Sequence, residues 1–171
     1  MREEIIHHIE GLGLSPELAV LLLATLPIFE LRGAVPIGII LFQLPVLKTA
    51  VYSVIGNMIP IIPILLLFEP VYTRLSRFRS MDRFFEWIFK RTRRKGKLIE
   101  RLKVVGLILF VAIPLPVTGA WTGSIAAFLF RIPLWQSIPA ILIGVIIACI
   151  LVSLASLGII HLPGMVEVAP S

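Results

Sequence analysis

The chain has 171 residues, of which 58% are hydrophobic and 15% charged, with a formal net charge of +6. That length holds one compact domain and excludes a second, soluble one. Stretches 49–68, 104–130 and 132–160 contain no Asp, Glu, Lys or Arg. Because a membrane crossing takes about 20 apolar residues, the composition predicts an all-α integral membrane protein.

Met1-Arg2-Glu3-Glu4 lacks the basic start, short apolar core and small-residue cleavage site of a signal peptide, so the mature chain is expected to begin here. The first apolar region follows, and inside it stands Glu30-Leu-Arg-Gly-Ala-Val-Pro36. A carboxylate or guanidinium persists in hydrocarbon only with a partner, an inward face or a wet cavity, so Glu30 and Arg32 mark a site rather than a lipid face. As helices, the flanking runs 18–29 and 33–47 would rise only about 18 and 22 Å, short of the roughly 30 Å core. A re-entrant hairpin resolves this, since irregular backbone at membrane depth is tolerated where it is buried in protein or faces water. Beyond Phe42-Gln-Leu-Pro45 comes a long apolar helix through 49–68 that carries Gly56-Asn57 and Pro60. Asn57 suits either a hydrogen bond between helices or a ligand.

Between Glu69 and Lys103, twelve Lys or Arg stand against four Asp or Glu, which places this segment in the cytoplasm by the positive-inside rule. Val71, Leu75, Phe78, Phe85, Ile88 and Phe89 recur there at mostly three- and four-residue steps. The pattern is that of an amphipathic helix on the inner leaflet, not of a nucleic-acid-binding surface. Arg91, Arg93, Arg94, Lys95 and Lys97 would meet anionic head groups, or serve only to anchor the helix. Trp87 and Trp135 are expected at the interface.

The second half repeats the first. Phe42-Gln-Leu-Pro45 matches Phe130-Arg-Ile-Pro133, Thr49 matches Ser137 and Gly56 matches Gly144, all at an offset of 88, and Gly33-Ala34 falls on Gly119-Ala120 at an offset of 86. The run 104–130 is long enough to cross, but Pro114, Pro116 and Gly119 break it, since an interior proline removes a helical hydrogen bond and clashes with the preceding turn. The expected organisation is a first repeat at 14–68, the basic segment at 69–103, a second repeat at 104–160 and a tail at 161–171. One hairpin plus one crossing per half makes an odd number of crossings, so the repeats are inverted and both termini lie outside. Paired crossings in place of hairpins leave that parity intact, whereas one kinked span per hairpin destroys it.

Broken helices meeting near the midplane of an inverted repeat offer N–H groups and positive dipole ends to anions. Glu30 is the candidate proton acceptor. Arg32, Gly33, Asn57, Thr118, Gly119, Trp121 and Thr122 are the candidate substrate contacts. The plainer readings are a buried Glu30–Arg32 pair, hydroxyls at Thr118, Thr122 and Ser124 that satisfy backbone freed by the prolines, and a Trp121 that only packs. Cys149 is solitary and reads as a small packing residue. His7, His8 and His161 read as surface groups, and the absence of an acid-rich metal cluster, nucleophile elbow or phosphate-binding loop leaves no enzyme, metal or cofactor expected. Gly119 and Gly123 form a single small-xxx-small motif, the one pointer to a homodimer.

Glu30-Leu-Arg-Gly-Ala-Val-Pro36, Gly56-Asn57 with Pro60, and Pro114-Leu-Pro-Val-Thr-Gly-Ala-Trp-Thr-Gly123 resemble the small multidrug export protein family of prokaryotes, over nearly the whole chain. That family is similar in turn to the DedA superfamily. The resemblance implies a fold of two re-entrant loops with amphipathic helices, a cytoplasmic-membrane location, proton-coupled transport, and relatives that move polyprenyl phosphates or phospholipids between leaflets. Glu30 stands where the first-hairpin acid belongs. Residues 114–124 lack the arginine usual in the second hairpin, and Arg131 lies beyond it at the corner.

Three function classes follow. The first is a proton-linked transporter or flippase for an amphipathic lipid phosphate. The second exports lipophilic cations through a single carboxylate that alternates between proton and drug. The third is a scaffold that shapes membrane without transport. Partners are membrane lipid, substrate and protons, with no nucleic acid.

Overall fold

A computed structural model describes residues 13–75, 86, 90, 92, 97–113 and 118–160. They form α1 (Pro16–Thr25), α2 (Glu30–Pro36), a π-helix (Ile37–Leu41), α3 (Val46–Met58), α4 (Ile61–Leu75), α5 (Lys97–Leu102), α6 (Val104–Ala112), α7 (Ala120–Leu129) and α8 (Leu134–Ile160). No strand occurs among the described residues. Val46–Leu67 and Leu134–Gly158 are long and apolar enough to cross a membrane. The chain divides into two compact units, one drawn from Met1–Gly56 and Cys149–Ser171, the other from Asn57–Ala148.

In the first unit α1 starts on a strong local signal. The Ser15 hydroxyl accepts from the Leu18 amide at 3.3 Å, Pro16 occupies the first turn, and Glu17 places a negative charge at the positive dipole end. The helix ends at Thr25, where Leu26 turns extended ahead of Pro27. Ten residues rise about 15 Å, half of the hydrocarbon thickness. After α2, Pro36 cannot donate the bond that an α-helix would run back to residue 32, and the ladder widens into the π-helix, closing with Phe42 N–H to Ile37 O at 3.0 Å. Gln43 then takes a left-handed backbone, φ 54°, and the Leu44 amide reaches the Gly38 carbonyl at 2.9 Å.

Small residues let these elements approach closely. A Cβ on Gly56 of α3 would collide with the Leu21 carbonyl oxygen of α1, and one on Gly38 would come within 2.5 Å of the Thr49 methyl. Ala19, Val20, Ala24, Ala34 and Phe42 form the core between them, covered by Leu23, Ile37, Leu41, Leu44 and Tyr52. The Lys48 ammonium meets the Glu17 carboxylate at 2.5 Å across the exposed ends of α3 and α1. Cys149 is buried and unbridged as expected, with its sulfur 4.0 Å from the Ala50 carbonyl oxygen.

In the second unit, Lys103 at φ 50° separates α5 from α6, and α6 stops at Ala112. Pro114 and Pro116 lie outside the described residues, and α7 begins after Gly119, whose φ is 150°. The corner after α7 is closed by Phe130 N–H to Ala126 O and Ile132 N–H to Ala127 O, each 2.9 Å, around Arg131 at φ 53°. Gly144 of α8 lies against α6: a Cβ there would stand 2.9 Å from the Ile108 carbonyl and 2.7 Å from the Val111 Cβ. Tyr72 of α4 meets Phe128 of α7 edge to face, with centroids 5.8 Å apart.

Two elements differ from expectation. The apolar stretch at 49–68 is interrupted rather than regular: α3 ends at Met58, a two-residue turn follows, and α4 restarts at Ile61, within the one span Val46–Leu67. Pro60 and Pro63 each lack the N–H that would continue the ladder. The helix α4 then runs on to Leu75 through Pro70, past the boundary expected at 68.

Candidate functional site

Glu30 opens α2. Its amide donates to the Leu26 carbonyl at 2.8 Å, which closes the turn after α1, and its own φ is 45°. A non-glycine residue held there costs about 1–3 kcal/mol, and such strain concentrates at functional sites. The side chain is buried, 6% exposed, so the strained backbone delivers a carboxylate to the interior. Arg32 is half-buried in the same turn. On a regular helix, residues two apart point away from each other; the left-handed step at Glu30 removes that constraint.

Gly33 has a steric role. The Phe29 ring lies over it, so that a Cβ would come 2.8 Å from the Phe29 Cδ1, and its amide donates to the Phe29 carbonyl at 2.8 Å. It holds the turn that presents Glu30 and Arg32 and faces an aromatic ring rather than open space.

The remaining candidates belong to the second unit. Thr118 is buried and its hydroxyl donates to the Ile113 carbonyl at 2.9 Å, bridging the two sides of the proline break. Thr122 turns back to the Gly119 carbonyl at 3.4 Å, and Ser124 to Ala120 at 2.8 Å. The Thr122 and Ser124 hydroxyls thus bond within the first turns of α7 and the Thr118 hydroxyl to the residue after α6, none of them to the carbonyls at 110 and 112 that Pro114 and Pro116 release, while Gly119 is buried and Trp121 half-buried beside them. Asn57, at the end of α3, is fully buried, and neither its amide oxygen nor its nitrogen has a hydrogen-bond partner.

Arg91, Arg93, Arg94 and Lys95 lie outside the described residues, as does Trp87; Lys97 opens α5. Trp135 is 72% exposed at the start of α8. Among the described residues no group of His, Cys, Asp or Glu is placed to hold a metal.

One feature escaped the sequence reading. A cavity of about 400 Å³ opens where α6 begins and α7 ends, lined by Glu100, Lys103, Leu129, Phe130 and Arg131. Both cations sit on left-handed backbone at the two ends of the same hairpin. The available signal was the pair of charges that bound the apolar run 104–130, because a hairpin must bring its ends together.

The family profile described as "Putative small multi-drug export protein" matches residues 30–151, a span that begins at Glu30 and takes in both breaks. No curated protein and no solved structure matches the chain.

Proposed function

The chain belongs to the small multi-drug export protein family, and on that premise we propose that it is a proton-coupled membrane transporter of amphipathic, phosphate-bearing substrates. The observation that carries this reading is Glu30, a buried carboxylate on strained backbone at a helix break with a half-buried arginine in the same turn. A buried acid takes up a proton more readily than one in water, and a neighbouring cation opposes that uptake, so Glu30 can exchange its proton when a substrate anion engages Arg32. Arg32 gives a phosphate a planar, permanently charged partner.

The short helices support the hairpin reading. α1, α6 and α7 each rise about 15 Å or less, too little to cross the bilayer alone. In the proposed topology each half pairs a re-entrant hairpin with a crossing, the halves are inverted, the basic segment faces the cytoplasm and both termini lie outside, in the manner of the DedA superfamily. Lys103 and Arg131 at the mouth of the second hairpin then receive lipid phosphate from the inner leaflet.

The family description favours one second reading, the export of lipophilic cations, in which Glu30 alternates between proton and drug. Proteoliposomes under a pH gradient separate the two. Proton flux that rises with a short-chain polyprenyl phosphate supports the first reading, and flux that rises only with a lipophilic cation replaces it with the second. Full transport in Glu30→Gln refutes both.

A further inference from the structure

We propose that the α3 face made by Thr49, Ser53 and Asn57 holds a file of ordered water and, within the proton-coupled reading above on which this second half rests, serves as its proton path. The three residues stand one turn apart, all are fully buried, and the Thr49 and Ser53 hydroxyls and both polar atoms of the Asn57 amide have no hydrogen-bond partner.

The usual remedy for a buried helical hydroxyl is a bond to the carbonyl four residues back, and three of the buried serines use it, whereas Ser53 and Ser153 do not. Ser124 bonds to Ala120, Ser156 to Val152, and Ser137 to Pro133. Thr49 occupies the position matching Ser137 and leaves its hydroxyl aimed elsewhere, beside the Gly38 Cα where a Cβ would stand 3.1 Å away. Polar groups so buried are paired with water or an ion when protein does not pair them.

Spacing chooses between those partners. Residues four apart on a helix are separated by about 6 Å along its axis. One water with hydrogen bonds of about 2.8 Å on either side spans that gap. A single cation cannot collect three ligands spread over about 12 Å of helix. Hydroxyls and water both donate and accept, so a proton can enter at one oxygen while another leaves the next, with no net bond change. The Asn57 amide accepts at its oxygen but has no proton to release there, so it ends the relay. Thr49 and Ser53 belong to the same unit as Glu30.

The test uses the full chain in lipid nanodiscs, in a Cys149→Ala background. Ser53→Cys should react with aqueous silver ion at least tenfold faster than Val20→Cys, an equally buried position in the apolar core, with remaining thiol counted by mass spectrometry. Equal, slow reaction overturns the water file. Thr49→Val should leave the melting temperature unchanged or lower it, because it strips a partner from the water; a clear rise would mean that the hydroxyl was dry and unsatisfied, and overturns it too. In proteoliposomes the Thr49→Val/Ser53→Ala pair should slow proton flux at least tenfold with substrate affinity unchanged. Undiminished flux beside a reactive Ser53→Cys overturns the proton path alone. A wild-type protein with no coupled flux sinks the transport reading, and the silver reaction still decides the file.

Discussion

Gln43 and Arg131 stand at matching corners, each between a phenylalanine and an apolar-proline pair, and each takes a left-handed backbone, at φ 54° and 53°. Gly56 and Gly144 match as well, and each presses against the first helix of its own hairpin, on Leu21 and Ala24 in one case and Ile108 and Val111 in the other. The breaks differ. In the first half the turn into the second hairpin helix puts Glu30 on strained backbone, whereas among the described residues of the second break the one with positive φ is Gly119, which bears that conformation without cost. Corner and glycine recur in both halves, whereas the strained acid stands at the first break, and the proposal that the chemistry lies in the first half rests on that contrast.

Replacing the matched glycines should have the largest effect. Gly56→Ala drives a methyl into a backbone carbonyl that cannot rotate away, and overpacking of this kind costs about 1–3 kcal/mol or more. Gly144→Ala meets a carbonyl and a β-carbon at longer range, 2.9 and 2.7 Å, so it should be destabilising but less so. Thermal melting in detergent ranks them. A Gly56→Ala protein that melts with the wild type would break the packing equivalence.

The breaks come next, and here the two halves should respond oppositely. Glu30→Gly removes the left-handed strain, so it should hold or raise stability, by up to about 1 kcal/mol after the entropy of the added glycine, while abolishing transport. Gly119→Ala forces a side chain onto φ 150° and should lose about 1–3 kcal/mol. Melting curves together with proteoliposome flux measure both sides of this contrast. Stability lost at Glu30→Gly would make Glu30 a structural residue.

Much of this was readable from residue order. The short apolar runs, the prolines and the offset of 88 located the corners and the breaks, because each depends on a local rule about chain length or a missing N–H. The π-helix after Pro36 was not legible, since proline announces a broken ladder without saying whether it kinks, stops or widens. Thr118 and Thr122 looked equally fit for backbone or substrate, and residue order could not show that their hydroxyls donate to the Ile113 and Gly119 carbonyls. Lys103 and Arg131 read as ordinary charges until the hairpin closed a cavity between them. Asn57 stood out by chemistry, but Thr49 and Ser53 did not, because a helical hydroxyl usually finds its own backbone.

The smallest effects belong to the corners, where they sharpen the comparison most. Both Gln43 and Arg131 need a left-handed backbone, so Gln43→Val and Arg131→Val should each cost about 1–2 kcal/mol, because a β-branched side chain tolerates positive φ poorly. Gln43→Asn and Arg131→Asn, which suit that conformation, should be nearly neutral in melting. Function then divides what stability does not. Gln43 bears no charge, so Gln43→Asn should bind vesicles containing phosphatidylglycerol as the wild type does. Arg131→Asn removes one of two cations from the hairpin mouth and should bind them more weakly, by a few fold at low salt and less as screening grows. If Arg131→Asn binds like the wild type at low salt, the matched corners are alike in function as well as in backbone, and the cavity is no receptor for lipid phosphate.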